Sequence, residues 1–426
     1  MNTVSGQSVT TAKTLNGLWA WQIVPCTLAV VAGPIITFVY RLARSPNAET
    51  GSLSLAQALR GVLCIAMFAS LFRVGRLRLL EHFLIRPLMY LSIYAALTSI
   101  LSSYPYENLV FAVRLVFLAL VFASAFHFAE QGLCSEGWLT MSGWAVLITM
   151  AVSQVFGLIG GRTVSAYDSV YATAGVIDQA AVTSAHIVST LPVFLRFFPN
   201  CGHAISGVIV LLVVLFFTMR RTDIIAAVAC IVLILLYNFK PWRSMHFGKF
   251  VCTLVLLAAL AFAVLHSAPG ADLVARFKDL DPSEGTGSGR YSFWGIALEH
   301  MLERPLWANI LGEGMGSIRD LMSRRFGNTI GCHNDWLDIT YAFGIIGLAG
   351  LGWWYLTLAN FAINVYAAAC PAFPGVLSAL AVLGLISVGT GGAFDPTFAM
   401  IYAALGFWAG TVQFSGGADY AGCTSL

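Results

Sequence analysis

One histidine and a few arginines carry most of the chemistry this sequence offers. His333 stands directly before Asn334-Asp335-Trp336-Leu337-Asp338, where Asn334 or Asp335 is placed to cap a helix. The positive end of that helix disfavours imidazolium, so the ring is expected to stay neutral and able to accept a proton. Two readings follow: a general base, or an interfacial residue hydrogen-bonded to a backbone carbonyl. Arg220 and Arg221 precede an apolar helix starting near Thr222, where a cation opposes the helix dipole unless an anion lies between. They read as an anion site, with pairing of Arg220 to Asp223 or snorkelling to headgroups as the structural alternative. Arg114 lies about one turn inside an apolar run, within reach of a headgroup or lipid-linked phosphate, or else bonded to neighbouring helix carbonyls. Arg60, nearer the middle of its run, needs a partner too.

The elements that must hold these groups are set by composition. Of 426 residues, 58% are hydrophobic and only 10% charged, and mean hydropathy is +0.80. Soluble chains carry about a quarter charged residues, so most of this chain is solvated by lipid. The net charge of +3 is small and the basic residues are scattered, which excludes nucleic acid as a partner. Nine cysteines form no Cys-x-x-Cys pair, and neither a disulfide framework nor a structural metal site is indicated. On the topology below Cys332 faces the oxidising side without an intramolecular partner.

The pattern predicts an all-α polytopic membrane protein of about twelve transmembrane helices. Apolar runs fall near 18–40, 55–72, 87–104, 109–128, 138–159, 179–197, 203–219, 222–239, 250–266, 335–359, 375–391 and 396–415. The first is read as an uncleaved helix, being longer than a signal peptide's apolar stretch. A cytoplasmic N-terminus puts Arg73, Arg76, Arg78, Arg86, Arg196, Lys240, Arg243 and Lys249 inside, as the positive-inside rule requires. Both termini are then cytoplasmic. Three regions result: residues 1–266 with helices one to nine, a large periplasmic loop over 267–334, and residues 335–426 with the last three helices.

The loop interleaves charged, aromatic and aliphatic residues, so it is expected to fold. After the flexible stretch Gly285-Thr286-Gly287-Ser288-Gly289, one helical face gathers Phe293, Trp294, Ala297, Met301 and Leu302, and Pro305 ends that helix. A second helix fits Ile318, Leu321, Met322 and Phe326, closed by Gly327 and Asn328. Their polar faces carry Arg290, Glu299, Glu303, Arg319, Arg324 and Arg325. The turn Gly312-Glu313-Gly314-Met315-Gly316 is loosely like a phosphate cradle, but without a preceding strand it reads as a plain turn.

Taken in order, Gly289-Arg290-Tyr291-Ser292-Phe293-Trp294, Pro305-Leu306, Leu311-Gly312-Glu313-Gly314-Met315-Gly316 and His333-Asn334 running into Gly344-Ile345-Ile346-Gly347-Leu348 resemble the O-antigen ligase and polymerase superfamily. Upstream, Thr173-Ala174-Gly175-Val176-Ile177-Asp178-Gln179 with Pro192 and Arg220-Arg221-Thr222 are similar as well, so the likeness spans roughly 160–350. The resemblance implies an inner-membrane ligase that moves a glycan from undecaprenyl pyrophosphate to a sugar hydroxyl of lipid A-core, without cofactor or metal. The polymerases of the family instead extend the glycan on the lipid carrier. Carried onto this chain, the implied roles are His333 as base, Arg290 as catalytic cation, and Arg221 (favoured over Arg220) with Arg114 at the lipid pyrophosphate. Asn334, Asp338 and Trp294 support them. A polysaccharide or lipid transporter is the rival from another class, although no internal repeat and no acidic residue near mid-span is evident.

Overall fold

A backbone in lipid must satisfy its own hydrogen bonds, and in a chain this rich in leucine, alanine, valine and phenylalanine the helix does so. The computed structural model describes residues 23–35, 55–160, 180–238, 266–278, 289–327 and 331–415, with isolated positions between. Every regular element among them is helical. In chain order these are α1 (Ile23–Ile35), α2 (Leu55–Arg73), α3 (Arg86–Thr98), α4 (Pro105–Glu130), α5 (Glu136–Ile159), α6 (Ala180–Ser189), α7 (Leu191–Leu195) and α8 (Gly202–Phe216). There follow α9 (Arg221–Asn238), α10 (Ala268–Lys278), α11 (Arg290–Glu303), α12 (Leu306–Leu311), α13 (Ser317–Phe326), α14 (Asp335–Ala367), α15 (Phe373–Gly389) and α16 (Ala399–Ser415). α4, α5, α9 and α14 are each long and apolar enough to cross a membrane, and shorter apolar helices complete the bundle. The chain is an all-α, polytopic membrane protein. The anticipated basic cluster Lys240, Arg243 and Lys249 and most of the run at 250–266 lie outside the described residues, as do residues 279–288 and Asn328.

The bundle is centred on α4, which is apolar on all sides and buried along most of its length. α16 packs closely on it, because Gly406 and Gly410, four residues apart, let the backbones approach. A Cβ on either would run into the carbonyl oxygens of Phe122 or Phe126. This small-residue spacing is how helices associate where lipid removes the hydrophobic drive. α15 in turn bridges α9 and α14.

α14 has 33 residues, about 50 Å at 1.5 Å per residue, whereas the hydrocarbon core is only about 30 Å thick. The excess is resolved at Gly344, whose φ of 62° and ψ of −159° break the helix. Residues 335–343 form a separate first segment, and the membrane span follows the break, with Ile345 and Ile346 exposed. The sequence suggested one continuous span from 335 to 359; the kink corrects that. Breaking a helix orphans the carbonyls of the preceding turn. Arg304 bonds the carbonyls of Tyr341 at 2.9 Å and Thr340 at 3.3 Å. The Gly314 N–H bonds that of Ala342 at 2.8 Å.

The described residues 289–327 between α9 and α14 are folded, as their periodicity indicated. Phe293, Ala297, Ile318, Leu321, Met322, Cys332 and Tyr341 make a small core of their own. α11 stops before Pro305, and α13 ends at Gly327 in the left-handed conformation with φ 73°. Leu302, assigned to the packed face of α11, is 87% exposed instead. α12 was not anticipated.

Candidate functional site

The site is built on a five-residue turn, Gly331 to Asp335, whose side chains and backbone are tied on every side. Asn334 caps α14, its Oδ1 accepting from the Trp336 and Leu337 N–H groups at 3.0 and 3.2 Å. Asp338 reaches back to accept from the Cys332 N–H at 2.9 Å. From α11, the Trp294 Nε1–H donates to the Cys332 carbonyl at 2.9 Å. Asp335, the alternative cap, points elsewhere: its carboxylate accepts from the N–H groups of Gly392 at 2.6 Å and Ala393 at 2.9 Å. These ties hold His333 at φ 57°, a conformation costing a non-glycine residue of order 1 kcal/mol.

The strained residue lies within electrostatic reach of three guanidiniums. His333 is exposed to solvent, although protein atoms crowd its ring. Burial, then the charges of Arg290, Arg220 and Arg319, hold the imidazole below its ordinary pKa of 6.5, while a hydrogen bond to the Thr390 backbone opposes them. The sequence led to a neutral ring through the helix dipole; in the structure burial and the guanidiniums account for it. A bond that favours the protonated ring is one donated to a carbonyl, which fits the carbonyl-bonded reading of this histidine. With one ring nitrogen directed at a backbone carbonyl, a neutral imidazole keeps the other nitrogen able to accept a proton.

Arg290, the first residue of α11, donates from Nη1 to the Thr222 hydroxyl at 3.2 Å, bringing α11 onto the start of α9. Arg220 pairs with Asp223 at 3.4 Å, which partly relieves the conflict with the helix dipole. Arg221 is buried among the packed helices. Beside Arg290 runs a groove of about 230 Å³. Ile225, Leu385, Val388, Tyr291 and Trp294 line it, and Ile225 and Val388 are exposed at its rim. His333, Arg290 and the Arg220–Thr222 pair are thus gathered from three separate stretches of chain.

Arg114 is not part of this group. Nine residues into α4, about 14 Å from its start by helical rise, it forms an ion pair of 3.7 Å with Asp395. Asp395 is also within electrostatic reach of Arg60. Neither a headgroup nor a helix carbonyl need be invoked for Arg114, and the sequence reading that found no acidic group at that depth is corrected. The connection between α15 and α16 was missed altogether. It supplies Thr390, the amides that hold Asp335, and Asp395. Its signal was the run Gly389-Thr390-Gly391-Gly392 ahead of Asp395, which interrupts two apolar stretches.

The Gly312–Gly316 turn is structural, as its sequence context indicated. A Cβ on Gly312, at φ 82°, would overlap the Ala342 carbonyl. The turn's amides are taken by protein: Gly314 bonds Ala342, and the Met315 N–H donates to Asn108 Oδ1 at 2.7 Å. Among the described residues no group of three or more His, Cys, Asp or Glu side chains converges to hold a metal.

Fold and site define a multi-pass membrane protein with an imidazole near several guanidiniums and an apolar groove beside Arg290. Residues 206–352, about a third of the chain, match the protein-family model described as O-antigen ligase. The match spans Arg220, Thr222, Arg290 and His333, but not Arg114 or the loop after α15. It supports the O-antigen ligase superfamily, as the order of motifs indicated, and with it a glycosyl-transferring enzyme. The upstream likeness before residue 206 falls outside the match. No curated protein matches the chain.

Proposed function

We propose that the protein is an O-antigen ligase that moves a glycan from undecaprenyl pyrophosphate to a sugar hydroxyl of lipid A-core. The observation that carries the proposal is the convergence of His333 with Arg290, anchored on Thr222, and Arg220, whose charges oppose protonation of the ring. Transfer displaces the lipid pyrophosphate from the anomeric carbon. The C–O bond to the acceptor forms, the C–O bond to pyrophosphate breaks, and the acceptor proton goes to the free nitrogen of His333. A positioned base contributes about a hundred- to ten-thousand-fold.

The departing pyrophosphate gains negative charge, which Arg290 and Arg220 meet with charge-assisted hydrogen bonds. Each well-placed donor of this kind contributes roughly 3 to 4 kcal/mol to the transition state. Arg221 shapes the start of α9, and Arg114 sits on the deeper lipid side. The apolar groove beside Arg290 supports a polyprenyl chain lying there with its pyrophosphate at the guanidinium.

The site end faces the periplasm of the bacterial inner membrane, both termini facing the cytoplasm. Supporting this, Arg73, Arg76, Arg78, Arg86 and Arg196 collect at the opposite ends of these helices, where Arg76 meets Glu130 and Arg196 meets Glu136. Purified protein supplied with a lipid-linked donor, with and without lipid A-core, tests the proposal. Glycan on the core lipid is the expected product. Longer glycans on the carrier alone mark a polymerase, and movement of donor only across a sealed vesicle marks a transporter.

A further inference from the structure

α11 and the first segment of α14 lie side by side and run in the same direction. At the site end the Trp294 Nε1–H donates to the Cys332 carbonyl at 2.9 Å, and the Cys332 thiol donates to the Phe293 carbonyl at 3.9 Å. At the far end the Tyr341 hydroxyl and His300 Nδ1 are hydrogen-bonded at 2.7 Å. Six residues separate Trp294 from His300, and six separate Asp335 from Tyr341. By helical rise the two ties are therefore about 9 Å apart on each helix. Arg290 opens one helix, and His333 directly precedes the cap of the other. The register of the pair thus sets how far the Arg290 guanidinium stands from the imidazole.

Arg304 closes the far end. It is the C-cap of α11 and is buried. Its Nε–H donates to Asn309 Oδ1 at 2.7 Å, and Asn309 Nδ2 donates to the Met301 carbonyl at 2.9 Å, so the guanidinium is held to the end of its own helix. Its outer nitrogens reach across to α14, Nη1 to the Tyr341 carbonyl at 2.9 Å and Nη2 to that of Thr340 at 3.3 Å. The guanidinium carbon also lies 4.6 Å from the centroid of the Tyr341 ring.

The choice of partners is informative. In an unbroken helix the carbonyls of Thr340 and Tyr341 accept from the N–H groups of Gly344 and Ile345, and the break at Gly344 frees them. Among the described residues no carboxylate pairs with Arg304 directly, although Glu313 is within electrostatic reach. The negative end of the first segment's dipole favours a cation at this place. A planar fork bonds two consecutive carbonyls and a third acceptor at once, which a lysine ammonium does not match. With one tie the helices are free to pivot about the Trp294 contact; a second, about 9 Å away, stops both sliding and splaying. A slip of one turn is about 5.4 Å, and a misplacement of about 1 Å costs on the order of a hundredfold in rate.

We infer that Arg304, with Tyr341 and His300, is a positioning device that locks the register of α11 against the first segment of α14 and so fixes Arg290 relative to His333. The three residues act through the two helices. The inference takes the roles of Arg290 and His333 from the ligase reading, whereas the lock itself is a property of the fold.

The test pairs turnover with a readout that needs no substrate. Full-length Arg304→Met, Arg304→Lys and Tyr341→Phe in nanodiscs are compared with wild type and with Leu302→Ala, an exposed position on the same helix. Thermal unfolding checks that each is folded. Diethyl pyrocarbonate modifies the neutral imidazole, so the pH midpoint of its reaction at His333, read by mass spectrometry, reports the ring's protonation. The wild-type midpoint is expected below 6.5, because Arg290, Arg220 and Arg319 oppose protonation of His333. In Arg304→Met and Tyr341→Phe the Arg290 charge is no longer held in place and the midpoint moves up toward 6.5, while Leu302→Ala matches wild type. Transfer turnover falls about a hundredfold in Arg304→Met and about tenfold in Tyr341→Phe, with KM for the lipid-linked donor within about threefold of wild type. Arg304→Lys falls between wild type and Arg304→Met. A loss of stability alone leaves the midpoint of the folded protein unmoved. Should Arg304→Met fail to fold, Arg304→Lys and Tyr341→Phe carry the same two readouts. An unmoved His333 midpoint in every folded lock variant, or turnover within about threefold of wild type in all of them, overturns the inference. A shifted midpoint in a protein that transfers no glycan, wild type included, leaves the lock standing and removes the ligase reading.

Discussion

Two tight turns flank the first segment of α14, and they are built for opposite ends. The Gly312–Gly316 turn uses glycines to bring backbone against backbone, and its Gly314 and Met315 amides bond protein acceptors. The Gly331–Asp335 turn places its positive φ on His333, a residue for which that conformation is costly, and binds nearly every neighbouring group so that the strain holds. Glycine relieves strain where only packing is needed. Strain kept on a side chain within reach of charged groups is what singles out His333 for the proposed chemistry.

The contrast yields graded expectations. His333→Gln keeps an N–H for the Thr390 carbonyl but removes the proton acceptor. Glycan transfer should fall about a hundred- to ten-thousand-fold, with unchanged thermal unfolding and donor binding. Arg290→Lys retains charge but loses the planar fork, and should lower the turnover rate by about a hundredfold or more. A rate within threefold of wild type would remove Arg290 from the leaving-group contact.

Gly312→Ala should act on stability. Its Cβ meets the Ala342 carbonyl and its φ of 82° strains any other residue, so about 1 to 3 kcal/mol of stability is lost. Thermal unfolding in detergent reads this directly, and an unchanged midpoint would contradict the packing role. Trp294→Phe should have the smallest effect. Losing one hydrogen bond to the Cys332 carbonyl costs about 1 kcal/mol, seen as roughly fivefold slower transfer with an unaltered KM for donor. If the turn tolerates that loss without any change in rate, Trp294 merely packs.

How much of this was readable beforehand follows sequence distance. α11 and α13, the Asn334 cap and the membrane class depend on neighbours within a few residues, and composition and period disclosed them. Asp335 meets Gly392 across 57 positions, and Arg114 meets Asp395 across most of the sequence, so no local pattern could announce either pair. Gly344 was hidden for another reason. Among apolar residues a glycine reads as part of a continuous helix, and only the match between α14's length and the membrane's thickness reveals a break. Arg220 and Arg221 are adjacent in sequence, yet only packing shows that Arg220's charge reaches His333 while Arg221 is buried.

The pH dependence of transfer tests most directly whether an imidazole among guanidiniums does the chemistry. A cation beside His333 disfavours its protonation, so the active neutral form persists below the ordinary value of 6.5. The wild-type rate should therefore hold at neutral pH and decline only below 6.5. In Arg290→Gln, whose lower overall rate does not affect the midpoint, the acid limb should move to higher pH. A limb in the same place in both proteins, or one that survives in His333→Gln at near wild-type rate, would contradict the account.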